Sequence, residues 1–155
     1  MDNFCRPGCD RATVASMTFK DLPPNWPSQP LTSPDLVHDV LDLCVNNTDR
    51  VKGGVSVLVL RDDLTLAQPI FVKGPLPRLD RFETLKSLFR GCSRDGLDGA
   101  FVVGIVHEAP GLSDDDRALH QDMIDVCAEL GFRLVSTHLL CDSATVVLPV
   151  ARLAA

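Results

Sequence analysis

The chain has 155 residues, 45% of them hydrophobic and 23% charged, the size and balance of one globular domain with a real core. Its 15 basic and 21 acidic residues give a net charge of −6, which argues against a large nucleic-acid surface, because that needs a basic stripe to neutralise phosphates. No apolar run reaches the length of a bilayer span, and the acidic, proline-containing start MDNFCRPGCD is not that of a signal peptide, so no membrane contact and a cytoplasmic location are expected.

In a reducing compartment the six cysteines read mostly as thiols. Cys44, Cys92, Cys127 and Cys141 lie in or beside apolar periodic segments, where cysteine behaves as a small hydrophobe. Cys5 and Cys9 sit in a polar leader with no second Cys or His pair at zinc-finger spacing, so a flexible tail is expected there.

Residues 1–33 contain Pro7, Pro23, Pro24, Pro27 and Pro30, which exclude a stable helix or an inner strand. This leader is expected to be partly disordered or to wrap, with Phe19 and Trp26 as the side chains suited to pin it. A single domain is expected over 34–155. Ser33 and Pro34 suit the cap and first position of a helix, and Leu36, Val37, Val40, Leu41 and Cys44 recur at helical spacing until Asn46-Asn47.

After Gly53-Gly54, residues 55–60 (VSVLVL) read as a buried strand. A turn at Arg61-Asp62-Asp63 leads to a second strand at about Leu64–Val72, so the two form a hairpin, and Pro69 marks an edge or a bulge. A helix is expected after Pro77, with Leu79, Phe82, Leu85, Leu88 and Phe89 on its buried face and Gly91 as its stop. Residues 100–106 (AFVVGIV) are the most apolar strand and therefore central. Ser113 caps the longest helix, whose buried stripe is Leu119, Met123, Val126, Cys127 and Leu130 and whose end is Gly131. Residues 133–140 and 144–149 read as two last strands joined by a short turn. The expected architecture is a single-domain α/β sandwich with a mixed sheet, in the order α-β-β-α-β-α-β-β.

The chemistry concentrates in IVHEAPGLSDDD, residues 105–116. Histidines two apart at a strand end point to one side, and with a carboxylate from the next helix they hold a zinc with one position left for water. A further carboxylate then takes the proton of that water. Here His107 is present, but its partner two residues on is Ala109, which has no donor atom. Glu108 lies between them and belongs to the opposite face. Ser113 and Asp116 have the spacing of a helix capping box, and all three aspartates suit the positive end of the helix dipole, so capping alone accounts for them.

The segment from about Ser56 to Leu148 resembles the JAB/MPN metalloprotease-like superfamily, most closely its RadC branch. The matching residues are Val106-His107, Pro110, Ser113-Asp114-Asp115-Asp116, Glu129-Leu130-Gly131-Phe132 and Thr137-His138-Leu139-Leu140. The resemblance implies α/β/α layers of the broad cytidine-deaminase-like kind, a zinc-dependent peptide or isopeptide hydrolase as the ancestral activity, and a tendency to pair. The chain departs from the pattern at three places. Ala109 replaces the second histidine, the stretch between Pro110 and Ser113 is only Gly111-Leu112, and the hairpin strand offers Gln68 but no Asp or Glu from Leu64 to Leu79. An amide cannot act as the general base that a carboxylate provides.

The leading expectation is therefore a non-catalytic domain of this kind that acts in protein interaction or as a scaffold, with a protein partner or a second copy and no cofactor. Ala109, Pro110 and Ser113 would be remnants of the motif. The alternative is a divergent zinc hydrolase with a relocated site: His107, Asp116 and His120 as ligands, the last two being four apart on one helix face, and Glu108 as base. The other place for His120 is the solvent face beside Leu119 and Met123. A small-ligand sensor is the third class. His138 shares a side of its strand with Ser136 and Leu140, which suits a core or edge histidine with a satisfied hydrogen bond. Cys141, three residues on, falls on the opposite side and is no partner for it.

Overall fold

The computed structural model describes residues 22–74, 76–93, 99–141 and 145–148. Cys5, Cys9, Pro7 and Phe19 lie outside the described residues. The described elements are α1 (Pro34–Cys44), α2 (Asn47–Lys52), β1 (Gly54–Leu60), β2 (Leu66–Lys73), α3 (Arg81–Cys92), β3 (Ala100–Val106), α4 (Asp114–Leu130), β4 (Arg133–Leu140) and β5 (Thr145–Leu148). No helix among them is long and apolar enough to cross a membrane.

The strands form one mixed five-stranded sheet in the order β2-β1-β3-β4-β5. β1 and β2 are an antiparallel hairpin, β1 also pairs antiparallel with β3, and β4 pairs antiparallel with β5. β3 and β4 run parallel, which requires a crossover, and α4 supplies it. β3, the most apolar strand, is in the middle, and every residue of it is buried. Pro69 lies on edge strand β2, where the missing N–H leaves no inner ladder bond unmade. The β1–β2 register also shifts between Val59 and Leu60.

The period of two in the strands divides the core into two clusters. Val55, Val57, Val59, Phe101, Val103, Ile105 and Leu139 point to one face and pack with Leu85 and Phe89 of α3 and Leu119, Met123, Val126 and Cys127 of α4. Leu58, Leu60, Ala100, Val102, Val106 and Leu140 point to the other, against Val37, Val40 and Leu41 of α1. The arrangement is three layers, α/β/α. On the α1 face Gly104 replaces a side chain: a Cβ there would come 3.1 Å from Leu140 and 3.2 Å from Leu41, so its absence lets α1 settle close to the sheet.

The last part of the leader joins this second cluster. Trp26–Ser28 is a single 3-10 turn, Trp26 and Leu22 pack against the cluster, and Leu31 is completely buried. The Leu31 N–H donates to the Leu64 carbonyl at 2.8 Å, which ties the segment to the turn of the β1–β2 hairpin.

Three local expectations need correction. Asn46-Asn47 does more than end α1: the Asn46 side chain accepts the Asp49 N–H at 2.7 Å and caps α2, a six-residue helix absent from the expected order. The helix expected from Pro77 begins only at Arg81, because Asp80 takes a left-handed conformation with φ 64°. Leu79 consequently lies before the helix and is 80% exposed, while Leu85 and Phe89 are buried as their spacing predicts. Gly91 does not stop the helix, which runs on to Cys92.

α4 follows its sequence signals closely. Its start is a capping box and its end is Gly131 in the left-handed region at φ 74°, a conformation in which other side chains are strained. Arg81, buried on α3, donates to Asp122 of α4 at 2.9 Å and to Asp115 at 3.3 Å, fixing the two helices to each other.

Candidate functional site at the end of the central strand

β3 ends at Val106, and the next N–H, that of His107, donates to the Leu140 carbonyl at 3.1 Å. This bond carries the parallel ladder one residue further and holds His107 beside the start of α4. Gly53, at φ 80°, closes the other side: a Cβ there would lie 3.0 Å from the Val106 carbonyl oxygen. The backbone of the α2–β1 corner can pass this near only because the residue is glycine.

His107 Nε2 lies 2.7 Å from Asp116 Oδ2. The same carboxylate oxygen accepts the Ser113 N–H at 2.9 Å, while the Ser113 hydroxyl accepts the Asp116 N–H at 3.0 Å. Asp116 is thus both the return arm of the capping box and the partner of the histidine, and it is buried. The other imidazole nitrogen, Nδ1, is buried and has no hydrogen-bond partner among the described residues. One nitrogen of His107 is held by Asp116 and the other faces no solvent.

The neighbouring carboxylates serve the helix. Asp114, Asp115 and Asp116 all sit in the first turn of α4, where the partial positive charge of the helix end favours them. Arg78, donating at 2.9 Å, and then Arg81 hold the Asp115 carboxyl below the usual carboxylate range. Glu108, Ala109, Pro110 and Gly111 form an exposed turn, and Ala109 brings no donor atom to it.

His120 lies one turn beyond Asp116 and is only 8% exposed, which overturns the solvent-facing expectation. Its Nε2 is buried without a partner among the described residues, and burial makes the ring a weaker base. It does not complete a ligand set. His107 and Asp116 meet, but no group of three or more His, Cys, Asp or Glu among the described residues could hold a metal ion. Two donors, one of them already holding a helix cap, do not fit a catalytic zinc, which takes three protein ligands and an open position.

The sequence reading missed a second polar cluster, on the α1 face of the sheet. His138 of β4 is 1% exposed, and its ring meets that of His38 of α1 edge to face, with centroids 4.9 Å apart. His138 Nε2 lies 2.9 Å from the Ser136 hydroxyl, as the shared side of the strand leads one to expect. His138 Nδ1 and His38 Nε2 have no partner among the described residues. Burial, and then the nearby His38, push the His138 imidazole down to about 4. Burial also weakens His38 as a base, partly countered by Asp35 and Asp39.

Two of the described cysteines are poor nucleophiles. Burial pushes the Cys44 thiol up to about 11 and the Cys127 thiol up to about 12, far from the thiolate a reactive cysteine needs. Cys141 packs in the α4-face cluster, on the side of the sheet away from His138. In comparisons with known proteins, no family model and no curated protein matches the chain.

Proposed function

We propose that the chain is a non-catalytic domain of the JAB/RadC-like kind, which keeps an α/β scaffold and uses it for protein interaction, with a second copy as the partner the resemblance implies. The observation that carries this reading is the state of His107. Its Nε2 is held by a carboxylate that also closes a capping box, and its Nδ1 is buried. A histidine that ligates a metal or moves a proton must present a nitrogen to the ion or substrate. Ala109 adds no donor beside it, and Gln68 stands on the strand where a base would be needed. No cofactor belongs to this reading.

Metal analysis of the purified full chain tests it. The chain and its His107→Ala variant are expected to carry the same background zinc after incubation with the ion and desalting. Stoichiometric zinc that disappears with His107→Ala would overturn the reading in favour of a relocated hydrolase site. Sedimentation equilibrium tests the partner: a dimer supports self-association, and a strict monomer at high concentration removes the second copy as the partner.

A further inference from the structure

We propose that the His38–His138 pair is an acid-sensitive latch, which holds α1 and the segment before it on the sheet at neutral pH and releases them in weak acid. The proposal stands on the placement of the two rings. They come from elements a hundred residues apart in the chain, meet edge to face at 4.9 Å, and each keeps one buried nitrogen without a partner among the described residues. Neutral rings fit this contact. A proton on His138 puts a cation where no carboxylate among the described residues acts on it, and protons on both rings put two cations within one ring contact.

Among the described residues no carboxylate acts on His138. On β4 the neighbour of His138 is the uncharged Ser136. Its cross-strand partners are Gly104 on β3 and Val147 on β5, and Gly104 in turn pairs with Ser56 on β1. From α1, Asp35 and Asp39 act on His38, while Asp42 is paired with Arg50 of α2. The carboxylates therefore sit toward the helix side of the pair, and His138 lies at its apolar end. Proton uptake there is relieved most simply by α1 moving off the sheet, which lets water reach both rings.

What moves with α1 follows from its packing. Val37, Val40 and Leu41 cover Leu58, Leu60, Val102 and Leu140, and Leu31 lies in the same cluster. Opening the latch uncovers this apolar face of the sheet, while the opposite face, under α3 and α4, contains neither latch histidine. The release is thus local to one layer, and it does not depend on whether His107 binds zinc.

Amide hydrogen exchange of the full chain, corrected for intrinsic rates, tests the latch. With His138 at about 4 when docked and near 6.5 when exposed, that residue alone raises the open fraction of α1 roughly 20-fold between about pH 7 and about pH 5. The expected result is a loss of protection of this size or larger in α1, which in weak acid exchanges faster than α4 and β3, and no such pH dependence of α1 in the His38→Gln, His138→Gln double variant. Equal protection of α1 and α4 in weak acid, or a double variant whose α1 behaves as in the parent chain, would overturn the proposal. If the double variant does not fold, imidazole titration by NMR in the parent chain decides. A His138 midpoint well below that of a free histidine, accompanied by shifts in α1 amides, supports the latch, and an ordinary midpoint overturns it.

Discussion

One carboxylate, Asp116, links the turn after β3 to the helix that follows. Its Oδ2 receives the Ser113 N–H and faces His107 Nε2, so its removal takes a partner from both. Asp116→Ala is expected to lower stability by about 2 kcal/mol, the lost arm of the capping box added to a lost hydrogen bond with His107. Ser113→Ala removes only the capping hydroxyl and should lower it by about 1 kcal/mol. Urea unfolding of the two variants checks the order; equal losses would mean that the His107 contact adds nothing. His120 makes the opposite kind of prediction. Its buried Nε2 has no partner among the described residues, and Leu has a similar volume. His120→Leu is therefore expected to match or exceed the parent chain in stability, because a buried polar atom without a bond is worse than an apolar one. A loss of more than about 1 kcal/mol would show that His120 has a partner whose bond it needs.

At the scale of elements, α3 separates what spacing can show from what it cannot. Leu79, Phe82, Leu85 and Phe89 continue one helical period, yet the left-handed Asp80 cuts Leu79 off and leaves it in solvent. Leu79→Ser should therefore change stability by less than about 0.5 kcal/mol, while Leu85→Ala should cost about 2–5 kcal/mol through lost burial and a cavity. Thermal or urea unfolding measures both, and similar effects would place Leu79 in the core. The same contrast explains how much of the fold was legible. The α4 boundaries, the β1–β2 hairpin and the central place of β3 depend on local signals: a Ser-x-x-Asp box, a C-terminal glycine, a turn and an unbroken apolar run. α2 was hidden because asparagine both ends helices and caps them, and Asn46 does the second for Asp49. The partner of His138 was not legible at all. Its face depends on a one-residue register shift, in which Phe101 pairs with Leu134 but Val102 pairs with Ser136, and its contact with His38 depends on which helix covers that face. At the candidate site only the relocated-zinc alternative brought His107 and Asp116 together, as ligands, and spacing on a helix cannot show that His120 is buried instead of facing solvent.

For the whole molecule, the buried histidines set how stability depends on pH. His38, His120 and His138 all bind protons more weakly in the folded chain than in the unfolded one, with burial as the first cause in each case. Where the unfolded state binds more protons, stability rises with pH. Their contribution is therefore complete above the ordinary histidine range and is lost as pH falls from about 6.5 toward 4, with His138 alone accounting for about 3 kcal/mol by the lower end. Asp42 acts in the opposite sense, because burial raises its carboxyl, and it offsets part of the loss near the carboxylate range. Asp63 and Asp115, both held low, add further loss only below that range. The expected profile is flat between about pH 7 and about pH 8 and falls steadily through about pH 5, well before most carboxylates are protonated. Urea titrations at constant ionic strength measure it. The slope with denaturant carries independent information, since it scales with the surface exposed on unfolding. If α1 has already left the sheet in weak acid, less surface remains to be exposed, and the slope at about pH 5 falls below its value at about pH 7. A falling midpoint with an unchanged slope would place the proton uptake in global unfolding. A flat midpoint over this range would mean that His138 takes up its proton as readily in the folded chain as in the unfolded one, which a ring 1% exposed and set against a second imidazole does not allow.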